Sequence, residues 1–161
     1  MTDDQKKLED IMSSFDEAML VTRDDSGAPR ARPMRIVKRG PHGDLWFATA
    51  SDSPKMDELD ADPRVAVTLQ SGGAFVSLTG TARIVRDRGR IDEVWSAPMK
   101  AWFPEGKDDP NLVLLQVRAN LAEYWDRRGV KRLQHLFDTA KAVAQGEKLQ
   151  PREEQHGQVS L

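Results

Sequence analysis

The sequence predicts an α+β fold: an antiparallel β-barrel of six or seven strands, closed or half closed, with helices packed on its outside. Short apolar segments that alternate with a period of two run through the middle of the chain, between turns rich in Gly, Asp and Pro. Helical periodicity appears towards both ends. The 161 residues suffice for one ordinary domain, and no repeat or linker divides them, so we expect a single domain over residues 1–149.

The predicted elements begin with an N-terminal helix, where Thr2 or Asp3 can cap a run of apolar residues at helical spacing. A period of two then predicts three short strands, at 19–22, 30–38 and 45–49. The turns between these strands are short, which favours an antiparallel meander.

A short second helix is predicted next, with Ser51 or Asp52 as its cap, Pro54 near its first position and Pro63 at its end. The polar residues 150–161 are expected to form a disordered tail. The other predicted elements are strands at 65–69, 76–84 (with a bulge or bend at Gly80), 112–117 and 124–125, helices at 87–95 and 130–148, and an irregular segment at 97–111.

Composition excludes several classes of protein. The chain has no cysteine, which excludes disulfide scaffolds, Cys-ligated metals and thiol nucleophiles. Its 24 basic residues nearly balance 26 acidic ones, so the net charge of −2 gives no global attraction to nucleic acid or anionic membranes. No signal peptide or membrane span is evident, and we expect a soluble, cytoplasmic protein. The three histidines have no metal-site or triad spacing, and no catalytic side chain or metal site is predicted.

The strand at 30–38 carries the first functional signal. Alternation puts Arg32 on the same face as the apolar Met34 and Ile36, and a charge in such surroundings needs an anionic partner. The alternative is a basic edge strand whose arginines and Pro33 discourage edge-to-edge pairing.

The start of the second helix carries the second signal. Hydroxyls, free backbone N–H groups and Lys55 form a plausible phosphate site there, although a simple helix cap is the alternative. If the strands at 30–38 and 45–49 are neighbours, Arg32, Ser53 and Lys55 converge on one phosphate. Nearby aromatic residues, among them Trp46 and Trp102, indicate a flat phosphorylated ligand.

These segments together resemble the pyridoxamine 5′-phosphate oxidase-like split-barrel flavoproteins, and most closely their general stress protein branch. The resemblance spans about residues 8 to 126. It is carried by 27–34 (GAPRARPM), 45–49 (LWFAT), Ser53-x-Lys55, 62–65 (DPRV), 76–82 (VSLTGTA), 102–106 (WFPEG), 109–110 (DP) and 123–126 (EYWD).

The resemblance implies a split barrel that forms a homodimer and binds FMN, with FAD as the alternative, at the subunit interface. It implies that Arg32 and the Ser53–Lys55 turn hold the phosphate, while Phe75 replaces a glutamine that contacts FMN in the oxidases. The aromatic residues at 102, 103 and 125 are implied to come from the second subunit or from the cavity rim. The implied cofactor-binding residues are Arg32, Pro33, Met34, Arg35, Ala48, Thr49, Ser53, Lys55, Phe75, Trp102, Phe103 and Trp125.

The expected function is that of a flavin-dependent oxidoreductase whose substrate is unknown. The oxidases hold pyridoxine phosphate with an Arg-Leu-His stretch, which the helical pattern at 131–135 (KRLQH) does not reproduce, so this substrate is not expected. A non-catalytic flavin sensor or buffer is one alternative. A nucleic-acid-binding barrel is another, because a basic strand with nearby aromatics is typical of single-strand binders.

Overall fold

Seven antiparallel strands form one sheet in the computed structural model, which describes residues 1–128, 132–146 and 156–161. The strands lie in the order β3-β2-β1-β4-β5-β6-β7, and β3 also pairs with β6. That extra pairing closes six strands into a barrel and leaves β7 outside it. The bounds are β1 Glu17–Arg23, β2 Pro29–Arg39, β3 Leu45–Ala50, β4 Arg64–Ser71, β5 Ala74–Val85, β6 Leu112–Asp126 and β7 His156–Ser160.

The predicted meander of the first three strands is confirmed. Strand β2 pairs with β1 on one side and with β3 on the other, with Leu20 opposite Arg32 and Ile36 opposite Phe47. Residues 29–35 of β2 pair with β1 alone in the described part of the chain, so the alternative interpretation as a basic edge strand is wrong only for residues 36–39, which pair with β3.

Strand β6 corrects the sequence prediction. The strands expected at 112–117 and 124–125 are one 15-residue strand, which pairs with β5 from Leu114 to Asp126. The register shifts where Thr79 gives way to Gly80, which confirms the irregularity predicted at this glycine. A Cβ atom on Gly80 would collide with the carbonyl oxygen of Arg118, so the close approach of the two backbones requires glycine.

Four helices lie outside the barrel in the described part of the chain: α1 Asp3–Ser13, α2 Lys55–Ala61, α3 Arg88–Val94 and α4 Arg132–Gln145. Helix α1 begins with a capping box in which Thr2 and Gln5 exchange hydrogen bonds, so Thr2 is the cap of the two predicted candidates. Helix α2 differs from expectation, because its N-cap is Pro54 and no side chain caps it.

Apolar residues pack in two layers. One fills the barrel and includes Phe47 and Leu115; the other lies between the outer face of β3 and β6 and the segment that follows α3, and includes Trp46 and Phe103. Consecutive residues at the start of β6 alternate between the two layers, since Val113 faces the first and Leu114 the second. This explains why that strand is apolar on both faces.

The C-terminal segment also differs from expectation. The sequence predicts a disordered tail over 150–161. Residues 150–155 lie outside the described ranges, but residues 156–160 form β7 against the end of β6, and Val159 is buried. Pairing with the free edge of β6 and packing against the barrel offset the cost of ordering this polar segment. Helix α4 leaves Val143 exposed in the single chain. No helix in the described ranges is both long and apolar enough to cross a membrane.

Candidate functional site

A cleft of about 450 Å³ lies between strands β2 and β3 and the 3-10 turn Ala97–Ala101 that follows α3. Seven of the twelve predicted cofactor-binding residues line it, together with Glu17, Ala50 and Met99. The seven are Pro33, Met34, Arg35, Ala48, Thr49, Trp102 and Phe103.

One wall of the cleft belongs to the second apolar layer, which lies on the outer face of β3 and β6. Met99 and Phe103 are buried in this layer beside Trp46, which fixes the turn against β3. Trp102, between them in the chain, is 66% exposed, a high value for so large an apolar side chain. The cleft therefore combines an apolar wall with an exposed indole, which suits a planar ring system.

A lysine adjoins the cleft at Thr49. The Nζ atom of Lys55, the first residue of α2, donates hydrogen bonds to Thr49 Oγ1 at 2.7 Å and to Ser53 Oγ at 2.6 Å. Burial and the positive charge of Arg32 lower the pKa of Lys55. Among the residues that the structure describes, Lys55 has no ion-pair partner within 4.0 Å. An anion bound beside Lys55 would favour its charged form and so oppose the effects of burial and of Arg32 on its pKa.

Arg32 lies close to this lysine, as predicted, but it already has an anionic partner. Its guanidinium donates to Glu58 Oε2 at 2.7 Å and to the hydroxyl of Thr22, which in turn donates to Glu58. Thr22 and Glu58 are both buried. Neither residue is predicted from the sequence. The signals that point to them are a polar residue at an inward-facing position of β1, and a carboxylate three residues after Lys55 on α2.

The turn that carries Ser53 is anchored from the loop before β6. The backbone N–H of Ser51 donates to the carbonyl of Asn111 at 2.8 Å, and its hydroxyl donates to Asn111 Oδ1 at 2.6 Å. The backbone N–H of Asn111 donates in turn to Oδ1 of the buried Asp109, at 2.9 Å. Hydrogen bonds from outside α2 therefore fix the turn, although α2 lacks a side-chain cap.

Phe75 and Trp125 lie elsewhere. They face each other in register where β5 begins and β6 ends, whereas the cleft adjoins the part of β3 that pairs with the first residues of β6. Trp125 stacks on His156 of β7, with ring centroids 5.0 Å apart. A single chain thus does not bring these two residues to the cleft.

The basic residues of β2 are largely paired within the chain, which weakens the nucleic-acid interpretation. A single-strand binder needs basic side chains that are free to follow a phosphate backbone. Four of the five basic residues between positions 30 and 39 instead have carboxylate partners: Arg30 with Asp24 at 3.7 Å, Arg32 with Glu58 at 2.7 Å, Lys38 with Glu93 at 3.2 Å, and Arg39 with Asp16 at 3.7 Å.

Comparisons with known proteins agree with this architecture. The family model described as pyridoxamine 5′-phosphate oxidase like matches residues 3–150. General stress protein 26 of Bacillus subtilis is 30% identical over 120 residues, which cover 71% of this chain and 83% of that protein.

Solved structures confirm the predicted split barrel. A putative general stress protein 26 from Jannaschia sp. CCS1 has a TM-score of 0.75 at 26% identity, with both chains covered completely. A general stress FMN/FAD binding protein from Xanthomonas citri has a TM-score of 0.67 at 31% identity, covering 79% of this chain and 91% of that one. This chain therefore belongs to the pyridoxamine 5′-phosphate oxidase-like family, within its general stress protein branch.

Proposed function

We propose that this protein binds a flavin nucleotide, FMN or alternatively FAD, in the cleft between β2, β3 and the turn after α3. The observation that carries the proposal is the placement of Lys55, a half-buried cation held by hydroxyls at the end of an apolar cleft. A planar ring joined to a phosphate matches both parts of this arrangement. The relative from Xanthomonas citri, an FMN/FAD binding protein, supports the choice of ligand.

The side chains divide by their chemistry. Lys55, Ser53 and Arg32 supply cationic and hydroxyl donors for the phosphate. Backbone groups near Met34 and the apolar side chains of the cleft would hold the ring, and Trp102 is available to stack on it. The donor set and the apolar wall therefore fit a flavin nucleotide.

We further propose that two copies of the chain form the complete site. Phe75 and Trp125 lie at the other end of β6 from the cleft, so they reach a ligand there only if they come from a second copy. A homodimer with the flavin at its interface accounts for all twelve residues.

The proposed activity is that of a flavin-dependent oxidoreductase. The flavin supplies the redox chemistry when bound, and the chain supplies binding, orientation and control of solvent access. Phe103 and Met99 form an apolar wall that excludes water from one side of the cleft. We assign no side chain a proton-transfer role, and a non-catalytic flavin sensor would use the same residues.

The visible absorption spectrum of the purified protein tests flavin binding, followed by mass identification of the released ligand. We expect a yellow protein that releases FMN or FAD, or an apoprotein that quenches FMN fluorescence on mixing. A colourless protein that leaves FMN fluorescence unchanged would contradict the proposal. Turnover with NAD(P)H and an electron acceptor then separates an oxidoreductase from a sensor.

A further inference from the structure

A partly buried polar cluster joins three elements of the fold beside the proposed phosphate site. It consists of Thr22 on β1, Arg32 on β2 and Glu58 on α2. Glu58 Oε2 accepts hydrogen bonds from the Thr22 hydroxyl and from Arg32 Nη2, the latter at 2.7 Å, while Arg32 Nη1 donates to Thr22. The three groups therefore form a closed ring of hydrogen bonds.

This ring fixes the guanidinium in one orientation. A free arginine side chain has many rotamers, and ordering it on ligand binding costs entropy. Here two donors are engaged within the protein, whereas a guanidinium carries five N–H groups. Donors therefore remain for a ligand, and the side chain of Arg32 is 22% exposed.

The cluster also partly neutralises the positive charge at the proposed phosphate site. Arg32 is close enough to Lys55 for its charge to lower the pKa of that lysine, so the two cations repel each other when no anion is bound. The Glu58 carboxylate lies one helical turn after Lys55 and compensates one of these charges. Burial by itself would raise the pKa of Glu58, but hydrogen bonds from Thr22 and Arg32 hold it below its ordinary value. Glu58 is accordingly an anion at neutral pH.

We infer that Glu58 is a positioning residue for phosphate recognition: with Thr22, it holds Arg32 beside Lys55 so that both cations meet the phosphate of the flavin nucleotide. This inference rests on the proposed function. It assigns Glu58 no contact with the ligand. Without its carboxylate, Arg32 is repelled by Lys55, leaves its orientation and must be ordered again on binding.

The test is Glu58→Gln, which keeps the size of the side chain but removes its charge. Fluorescence titrations with FMN and with riboflavin, which lacks the phosphate, give two dissociation constants for each variant. Because a charge-assisted hydrogen bond is lost, we expect the Kd for FMN to rise about tenfold or more. The Kd for riboflavin should change by less than about twofold. The matched control is Glu93→Gln, which removes an exposed carboxylate that pairs with Lys38 at 3.2 Å. It should leave both constants unchanged.

A second variant distinguishes a specific effect on phosphate recognition from a general loss of folded protein. Thr22→Val removes the hydroxyl that links Arg32 to Glu58 and keeps the shape of the side chain, so it should cause the same FMN-selective loss. Equal losses for FMN and riboflavin would indicate a merely structural role and overturn the inference. Unchanged or tighter FMN binding by Glu58→Gln would also overturn it. If the wild-type protein does not bind FMN, the proposed function itself fails.

Discussion

Lys55 Nζ lies 2.7 Å from Thr49 Oγ1, so the first residue of α2 is joined to the end of β3 at the wall of the cleft. The contact brings a charge to an otherwise largely apolar cavity. Burial and the positive charge of the neighbouring Arg32 disfavour the charged form of Lys55 and lower its pKa.

Lys55→Met should weaken FMN binding about tenfold or more, because it removes a charged donor from the proposed phosphate site. Riboflavin binding should change little. Because the pKa of Lys55 is lowered in the folded protein, its charge destabilises the ligand-free fold, so the variant should unfold at an equal or higher denaturant concentration. Fluorescence titration and urea denaturation measure the two effects. The control is Lys6→Met, on the exposed face of α1. An equal loss of FMN affinity in this control would contradict the assignment of Lys55 to the phosphate site.

Trp125→Ala tests whether a second copy completes the site. If it does, the variant should bind FMN about fivefold more weakly or worse, since base stacking on an aromatic side chain contributes about 1–3 kcal/mol. Gln158→Ala, on the strand beside Trp125, removes an exposed amide that donates to Glu123 at 3.4 Å and should leave FMN binding unchanged. Light scattering should give twice the mass of the 18.1 kDa chain. A monomer that binds FMN tightly would contradict the proposed interface.

Tyr124 should titrate far above its ordinary range. Burial and a hydrogen bond to Asp4 at 2.9 Å raise its pKa from 10.0 to about 12. The neutral phenol therefore stabilises the fold fully below pH 10, and this contribution is lost as the pH rises through about 12. The chain has one tyrosine, so the ultraviolet absorbance of phenolate reports this residue alone.

Tyr124→Phe tests how much the hydrogen bond between Tyr124 and Asp4 contributes to stability. It should lower the free energy of unfolding by about 1 kcal/mol at neutral pH, through loss of the hydrogen bond to α1. It should also reduce the fall in stability between pH 10 and 12 that the wild-type protein shows. A wild-type phenol that ionises near pH 10 would contradict the buried contact.

Gly80→Ala should destabilise the barrel by about 3 kcal/mol or more, because its Cβ atom would collide with the backbone of β6 at Arg118. Gly72→Ala is the matched control. Gly72 has a φ of +56°, so alanine there costs about 1–2 kcal/mol of backbone strain, but no atom lies within 4 Å of the added Cβ. Chemical denaturation compares the two, and equal losses would contradict the close approach at the bulge.

Much of the fold can be predicted from local patterns. The meander, the helix ends at Thr2 and Pro63, and the irregularity at Gly80 all follow from turn chemistry and periodicity. The length of β6 and the existence of β7 do not follow from them. In both cases pairing with a distant strand decides the structure, and it overrides weak local preferences.

The candidate site is predictable to a similar degree. Alternation in β2 correctly indicates that Arg32 needs an anion, but it does not say which one. Glu58 supplies it from a helix 26 residues further along the chain, a partnership that depends on tertiary packing. The anchoring of the Ser51 turn by Asn111, 60 residues away, is hidden from local patterns for the same reason.

Titration of FMN into the Arg32→Ala/Lys55→Ala double variant and into the wild-type protein tests whether these two cations bind the flavin phosphate. We expect the wild-type protein to quench FMN fluorescence at a single site per chain and the double variant not to bind. Circular dichroism should show that the variant remains folded. A folded double variant that binds FMN as tightly as the wild-type protein would contradict the proposed phosphate site.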